Sequence, residues 1–243
     1  DVRHTIKEAV PTMQTDFQVI SSTAGQSAQI QQNRVLRNTY ALLGLSMVPT
    51  VIGALIGTMF GVSLMVGSPM LSLLLFLGVS FGLIFAIQAN RNSGLGVALL
   101  LVFTFVMGLM LGPLLASTLH FRNGGQLIAM AAGGTGAIFF GLAGIASSGK
   151  RDFSGIGNFL FAGLILILLA GIANIFFQMP ALTVAISVVG VALFSGFILF
   201  DINRIVQGGE TSYVSATLAV YLDLYNLFTS LLQLLGIFGG ERD

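Results

Sequence analysis

The sequence predicts an all-α integral membrane protein, a bundle of seven transmembrane helices. Three observations carry this expectation. Only 8% of the 243 residues are charged against 55% apolar, and the mean hydropathy is +0.95, whereas a soluble domain carries about 25% charged residues. Seven apolar runs reach the roughly 20 residues that a helix needs to cross the hydrocarbon core. Short breaks with turn chemistry separate them: GSP, NRNSG, FRNGG, SSGKRDFSG, QMP and GGETS.

Taken in chain order, residues 1–38 are polar, with no apolar region of the kind a cleavable signal needs. They read as a flexible cytoplasmic tail, rich in Gln, Ser and Ala between Gln18 and Asn33. The transmembrane domain then occupies residues 39–243. Its expected spans are Thr39–Val62, Pro69–Ala89, Leu95–Ser117, Gln126–Ala146, Gly157–Gln178, Ala181–Asn203 and Val214–Phe238. The QMP break is so short that spans five and six form a tight antiparallel hairpin. A six-span arrangement, with the last segment re-entrant, is the alternative.

Basic residues near span ends set orientation, because cytoplasmic flanks carry the excess of Lys and Arg. With the N-terminus in the cytoplasm, the inner side holds Arg3, Lys7, Arg34, Arg37, Arg91, Lys150, Arg151 and Arg204. The outer side holds Arg122 and Arg242. Seven spans then leave the C-terminus outside. Trp is absent, so interfacial anchoring falls to Tyr40, Tyr213, phenylalanines and basic residues.

Glycines recur at helix-packing spacing: Gly53, Gly57 and Gly61 in span one, Gly108 and Gly112 in span three. Gly133, Gly134, Gly136, Gly141 and Gly144 crowd span four. Small residues let backbones approach closely in lipid, so these positions are expected to form helix-helix seams within a compact bundle.

Two aspartates, Asp201 and Asp223, lie inside the last two apolar runs, VALFSGFILFDINRIV and VSATLAVYLDLYNLFTSLLQLLGIF. A charge at this depth costs roughly 2.5–3.5 kcal/mol on insertion scales, so it faces protein or water and usually serves ions or protons. Span six descends to the side from which span seven rises. At 1.5 Å per residue the two carboxylates lie at depths of roughly 9 and 14 Å, close enough in level to meet. A pair that meets titrates as a coupled unit, sharing one proton, and its loss creates repulsion that parts the helices. The opened pair offers oxygen to a cation, as a weak site for passing Ca²⁺, since a tight site wants six to eight oxygens. Arg204 and Arg91 are the candidate charge partners. The structural alternative is that Asp201 merely pairs with Arg204 or Lys150.

Other polar groups point to architecture. Glu210, Thr211 and Ser212 are placed to cap span seven. Asn174, Gln178, Asn226 and Gln233 are candidates for bonds between helices. The net charge of +1 offers no basic face for nucleic acid. With no cysteine there are no disulfides, thiolate nucleophiles or Cys-based metal sites. Thr135 and Ser195 lack a histidine partner in the membrane, and no phosphate loop, zincin helix or dinucleotide fingerprint occurs. The residues therefore suggest no enzyme and no resident cofactor beyond transient Ca²⁺.

The segment ILFDINRIVQGGETSYVSATLAVYLDLYNLFTSLLQLLG resembles the C-terminal signature of the Bax inhibitor-1 family. It is more similar still to the family's bacterial YccA branch, as are VLRNTYALL, IAMAAGGTGAIFFGLA and ANIFFQMPALTVAIS. The resemblance covers roughly Arg34 to Gly236. It implies a seven-helix bundle with its N-terminus inside, and a di-aspartyl, pH-sensitive Ca²⁺ leak whose carboxylates map onto Asp201 and Asp223. The YccA branch implies a bacterial inner-membrane protein that binds the membrane-anchored AAA protease FtsH and restrains its proteolysis. The basic residue that latches the pair in leak-type members has no counterpart within span two, where Arg91 lies beyond the end.

Overall fold

In a computed structural model, which describes residues 2–64, 69–148 and 152–241, each apolar run is a helix in the expected order. The helices are α1 (Val2–Leu64), α2 (Pro69–Ala89), α3 (Gly94–Leu119), α4 (Gly124–Ser147), α5 (Gly157–Phe177), α6 (Pro180–Val206) and α7 (Tyr213–Gly239). A 3-10 turn at Ser154–Ile156 leads into α5, and no strand occurs among the described residues. Among the described residues, six segments are long and apolar enough to cross a membrane, and the described part of α2, Leu74–Ala89, is shorter. The chain is therefore a multi-pass membrane protein.

The expected division at residue 38 has no counterpart in a helix break, because α1 runs through it from Val2. Ala and Gln are strong helix formers, so the polar stretch is as helix-permissive as the apolar one that follows. The side chains of residues 2–28 lie outside the described set.

Two breaks explain themselves locally. At the QMP break, Gln178 ends α5 in the left-handed conformation, φ 48°, and donates its N–H to the Asn174 carbonyl at 2.8 Å. Asn174 then clamps the hairpin, accepting from Met179 N–H at 3.0 Å and donating to Thr183 Oγ1 at 2.7 Å. Pro180 begins α6, where its missing N–H has no partner to lose. At the other break, Gly208 takes φ 78° just past the end of α6, a conformation glycine adopts without strain. Ser212 caps α7 by accepting from Ser215 N–H at 3.3 Å, and Glu210 accepts from Thr211 and Ser212 N–H at 2.9 Å each.

Helix α7 is the axis of the bundle. It packs against α6, α4, α1, α3 and α2, and its Val214, Val220, Tyr221, Leu227 and Leu232 are buried. Helix α5 is the opposite case: it touches only α6 and the short turn, and Leu160 is its one buried residue among those described. Lipid solvates apolar side chains as well as protein does, so a helix held from one side is stable there.

Glycines divide the helices sharply. At Gly53, Gly57, Gly108 and Gly112, an added Cβ would collide with backbone of the facing helix: Phe105, Leu109, Thr50 and Gly57 respectively. This is the α1–α3 seam. In α4 the expectation fails, because Gly133, Gly136, Gly141 and Gly144 face open space, and Gly134 meets only the Leu231 side chain at 3.6 Å. Spacing alone does not say whether a partner helix stands opposite. Gly61 lies outside the residues whose side-chain surroundings are described.

The far end is closed by Asn123. Its Nδ2 donates to the Gly239 carbonyl at 2.7 Å, while Glu241 N–H donates to its Oδ1 at 3.1 Å. Arg122 N–H also donates to the Glu241 carbonyl at 3.0 Å, so the segment after α7 is stitched to the α3–α4 connection.

Candidate functional site

The structure brings Asp201 and Asp223 together. Asp201 stands five residues before the end of α6, and Asp223 ten residues into α7. Their side chains come within reach of each other across the α6–α7 contact. Two carboxyls this close can share one proton, as coupled pairs do. Asp201 is half-buried and Asp223 only 6% exposed. The Oδ2 of Asp223 is buried and has no hydrogen-bond partner among the described residues. A buried carboxyl oxygen without a donor is costly, which marks this atom as an unfilled acceptor.

The charge partners are arranged differently from either simple expectation. Arg204 lies 3.6 Å from Glu210, at the mouth of the site, and both groups act electrostatically on Asp201. Arg91 forms no ion pair among the described residues; its backbone carbonyl instead accepts from Ser212 Oγ at 2.9 Å. That contact, with Ser215 Oγ donating to Gln88 Oε1 at 2.8 Å, docks the end of α2 on the start of α7. Lys150 lies outside the described residues.

Of the four amides expected between helices, two serve there. Asn174 joins α5 to α6, and Gln233 Oε1 accepts from Ser187 Oγ at 2.8 Å, joining α7 to α6. Asn226 donates within its own helix to Leu222, and Gln178 works through its backbone at the turn.

Sequence reasoning missed a second polar centre on α7. Tyr221 is two residues from Asp223, hence about 200° round the helix and facing away from it. Its hydroxyl lies 2.9 Å from Thr50 Oγ1 on α1 and 3.3 Å from the Thr104 carbonyl on α3. It thereby ties the axis to the glycine seam. Asn203 was also missed: it is 1% exposed, and its Oδ1 accepts from Phe153 N–H at 3.0 Å, fixing the α4–α5 connection beside Asp201. Their signal was a polar residue beside the aspartate on each helix.

Chemically, the pair offers two carboxylates and one free acceptor. No group of three or more metal-ligating side chains occurs among the described residues.

The chain is 42% identical to an uncharacterised membrane protein of Vibrio cholerae, over 90% of this chain and 96% of that one. It is 39% identical to the Escherichia coli K12 protein named modulator of FtsH protease YccA, again over 90% and 96%. An uncharacterised Neisseria meningitidis protein is 37% identical over 87% of this chain and 94% of its own length. The family described as inhibitor of apoptosis-promoting Bax1 has a sequence model that matches residues 32–240. With a match over that much of its length, the chain belongs to the Bax inhibitor-1 family.

Proposed function

We propose that this chain is a non-enzymatic, multi-pass protein of the bacterial inner membrane that binds and modulates the membrane AAA protease FtsH. The observation that carries the reading is its 39% identity, over nearly the whole of both chains, to the relative named as a modulator of that protease. In this reading all seven helices cross the bilayer, with the N-terminus cytoplasmic and the C-terminus periplasmic. The bias of basic residues toward the ends joined by Arg34, Arg37, Arg91 and Arg204 supports that orientation. The test is co-purification from native membranes at endogenous levels, with FtsH substrate turnover measured beside it. Absence of FtsH under conditions that keep its other partners, together with unchanged turnover on deletion, rejects the reading.

A second function is favoured by the site itself. The pair at Asp201 and Asp223 gates a weak, pH-sensitive cation leak, with the free Oδ2 of Asp223 as the acceptor that a passing ion meets. Two carboxylates fall short of the six to eight oxygens of a tight Ca²⁺ site, so the ion is transient and water completes its shell. Arg204 and Glu210, at the mouth, are the charges that bias the pair. Ca²⁺ flux into liposomes, followed from acidic to alkaline pH, loses its pH dependence in Asp201→Asn and Asp223→Asn. Flux with an unaltered pH profile in both variants ends this reading.

A further inference from the structure

Helix α4 stands off from α1. Their backbones do not pack, and between them, backed by α7, lies a cavity of about 700 Å³. Tyr40 meets Phe139 edge to face across it, with ring centres 6.0 Å apart. Gly44 on α1 and Gly136 and Gly144 on α4 line it, and a Cβ added at any of the three would meet no atom within 4 Å. The cavity is thus a real gap between helices, floored by residues too small to fill it.

Its dimensions select the kind of occupant. The volume is within the roughly 300–1,000 Å³ of ligand sites. The lining of α4 runs from Ala132 to Ser147, about 22 Å at 1.5 Å per residue. That exceeds one leaflet, half of the ~30 Å hydrocarbon core. Its length and its almost wholly apolar lining suit a hydrocarbon chain.

One end is polar and cationic. Tyr40 and Ser147 mark it, and the Tyr40 hydroxyl has no hydrogen-bond partner among the described residues. Arg37 lies one turn before Tyr40 and about 60° round the helix from it. It is exposed and forms no ion pair among the described residues, and Arg34 follows one turn further out. We propose that this cavity holds one acyl chain of an anionic glycerophospholipid, with Tyr40 at the level of the ester and Arg37 on the phosphate. The lipid wedges α1 apart from α4 and completes packing that the glycines leave open.

The test reconstitutes the full chain in equal parts phosphatidylglycerol and phosphatidylcholine, extracts it in mild detergent, and counts retained lipids by native mass spectrometry. The wild type keeps one lipid per chain, with phosphatidylglycerol favoured on the order of fivefold. Gly44→Leu and Gly136→Leu, which fill the gap from opposite walls, each lose that lipid while keeping their thermal unfolding midpoint. Arg37→Gln keeps a lipid but loses the preference. A folded plugged variant with the wild-type lipid count overturns the proposal, as does an isoprenoid or peptide retained in the phospholipid's place. A wild type that retains no lipid, or shows no headgroup preference, overturns it equally.

Discussion

The glycines of α1 and α3 and the glycines of α4 are the same residue at similar spacing, with opposite surroundings. Along α1–α3 the missing side chain is filled by another backbone: Gly108 faces the Thr50 carbonyl, and Gly112 faces Gly57. Along α4 nothing replaces it at Gly133, Gly136, Gly141 or Gly144. Glycine therefore marks a place where something other than a side chain is needed. In one helix pair that is close approach; in the other it is space.

Substitution separates the two regions most strongly at the seam. Gly112→Ala places a methyl against backbone that cannot yield as a side chain would, and costs about 3 kcal/mol, the top of the usual overpacking range. Unfolding of the purified protein in mixed micelles reads this out. The matching change in α4, Gly133→Ala or Gly141→Ala, removes backbone freedom without a clash and raises stability by about 0.5–1 kcal/mol. If both substitutions cost the same, the contrast between seam and gap is wrong.

The next effect sharpens the comparison by testing a contact made of side chains. Gln233→Leu removes the bond from Ser187 that joins α6 to α7, and lowers stability by about 0.6 kcal/mol, the average for such bonds in membrane bundles. A loss as large as that of Gly112→Ala would show that polar contacts, and not the seam, set the bundle's stability.

The smallest effect lies outside the membrane, at the turn before α5. Asp152 is held below the ordinary value of 3.8 by hydrogen bonds from the backbone N–H and then the hydroxyl of Ser154. Because the folded value is the depressed one, this contribution is complete above the ordinary value and fades as pH falls through the lower one. Amide exchange at Ser154 therefore gains relative to its neighbours as pH falls below 3.8 in the wild type, and shows no such step in Asp152→Asn. Equal behaviour of the two proteins would leave the turn to its backbone alone.

The helices were legible because twenty-residue apolar runs and Gly, Pro and Asn breaks are strong signals. Even the α5–α6 hairpin followed from the length of QMP. Ends moved where a local device decided them: α6 begins at Pro180 and continues to Val206, stopping at the positive φ of Gly208. The polar start of α1 read as a tail because it lacks a long apolar run, yet polarity and helicity are independent when Ala and Gln supply both. Asp201 and Asp223 stood out as charges in apolar runs, and their similar depth already suggested a meeting. Tyr221 and Asn203 did not stand out, since a tyrosine or an asparagine in a span raises no comparable cost. The gap beside α4 was illegible for a simpler reason: no sequence states which helix a glycine faces.

The stitching of the segment after α7 by Asn123 has a practical consequence for anyone labelling this protein. A fluorophore carried at Glu241 would sit on a segment that is hydrogen-bonded to the α3–α4 connection through Gly239 and Glu241. Such a probe reports the orientation of the bundle instead of tumbling freely, and polarised emission from it follows tilt directly.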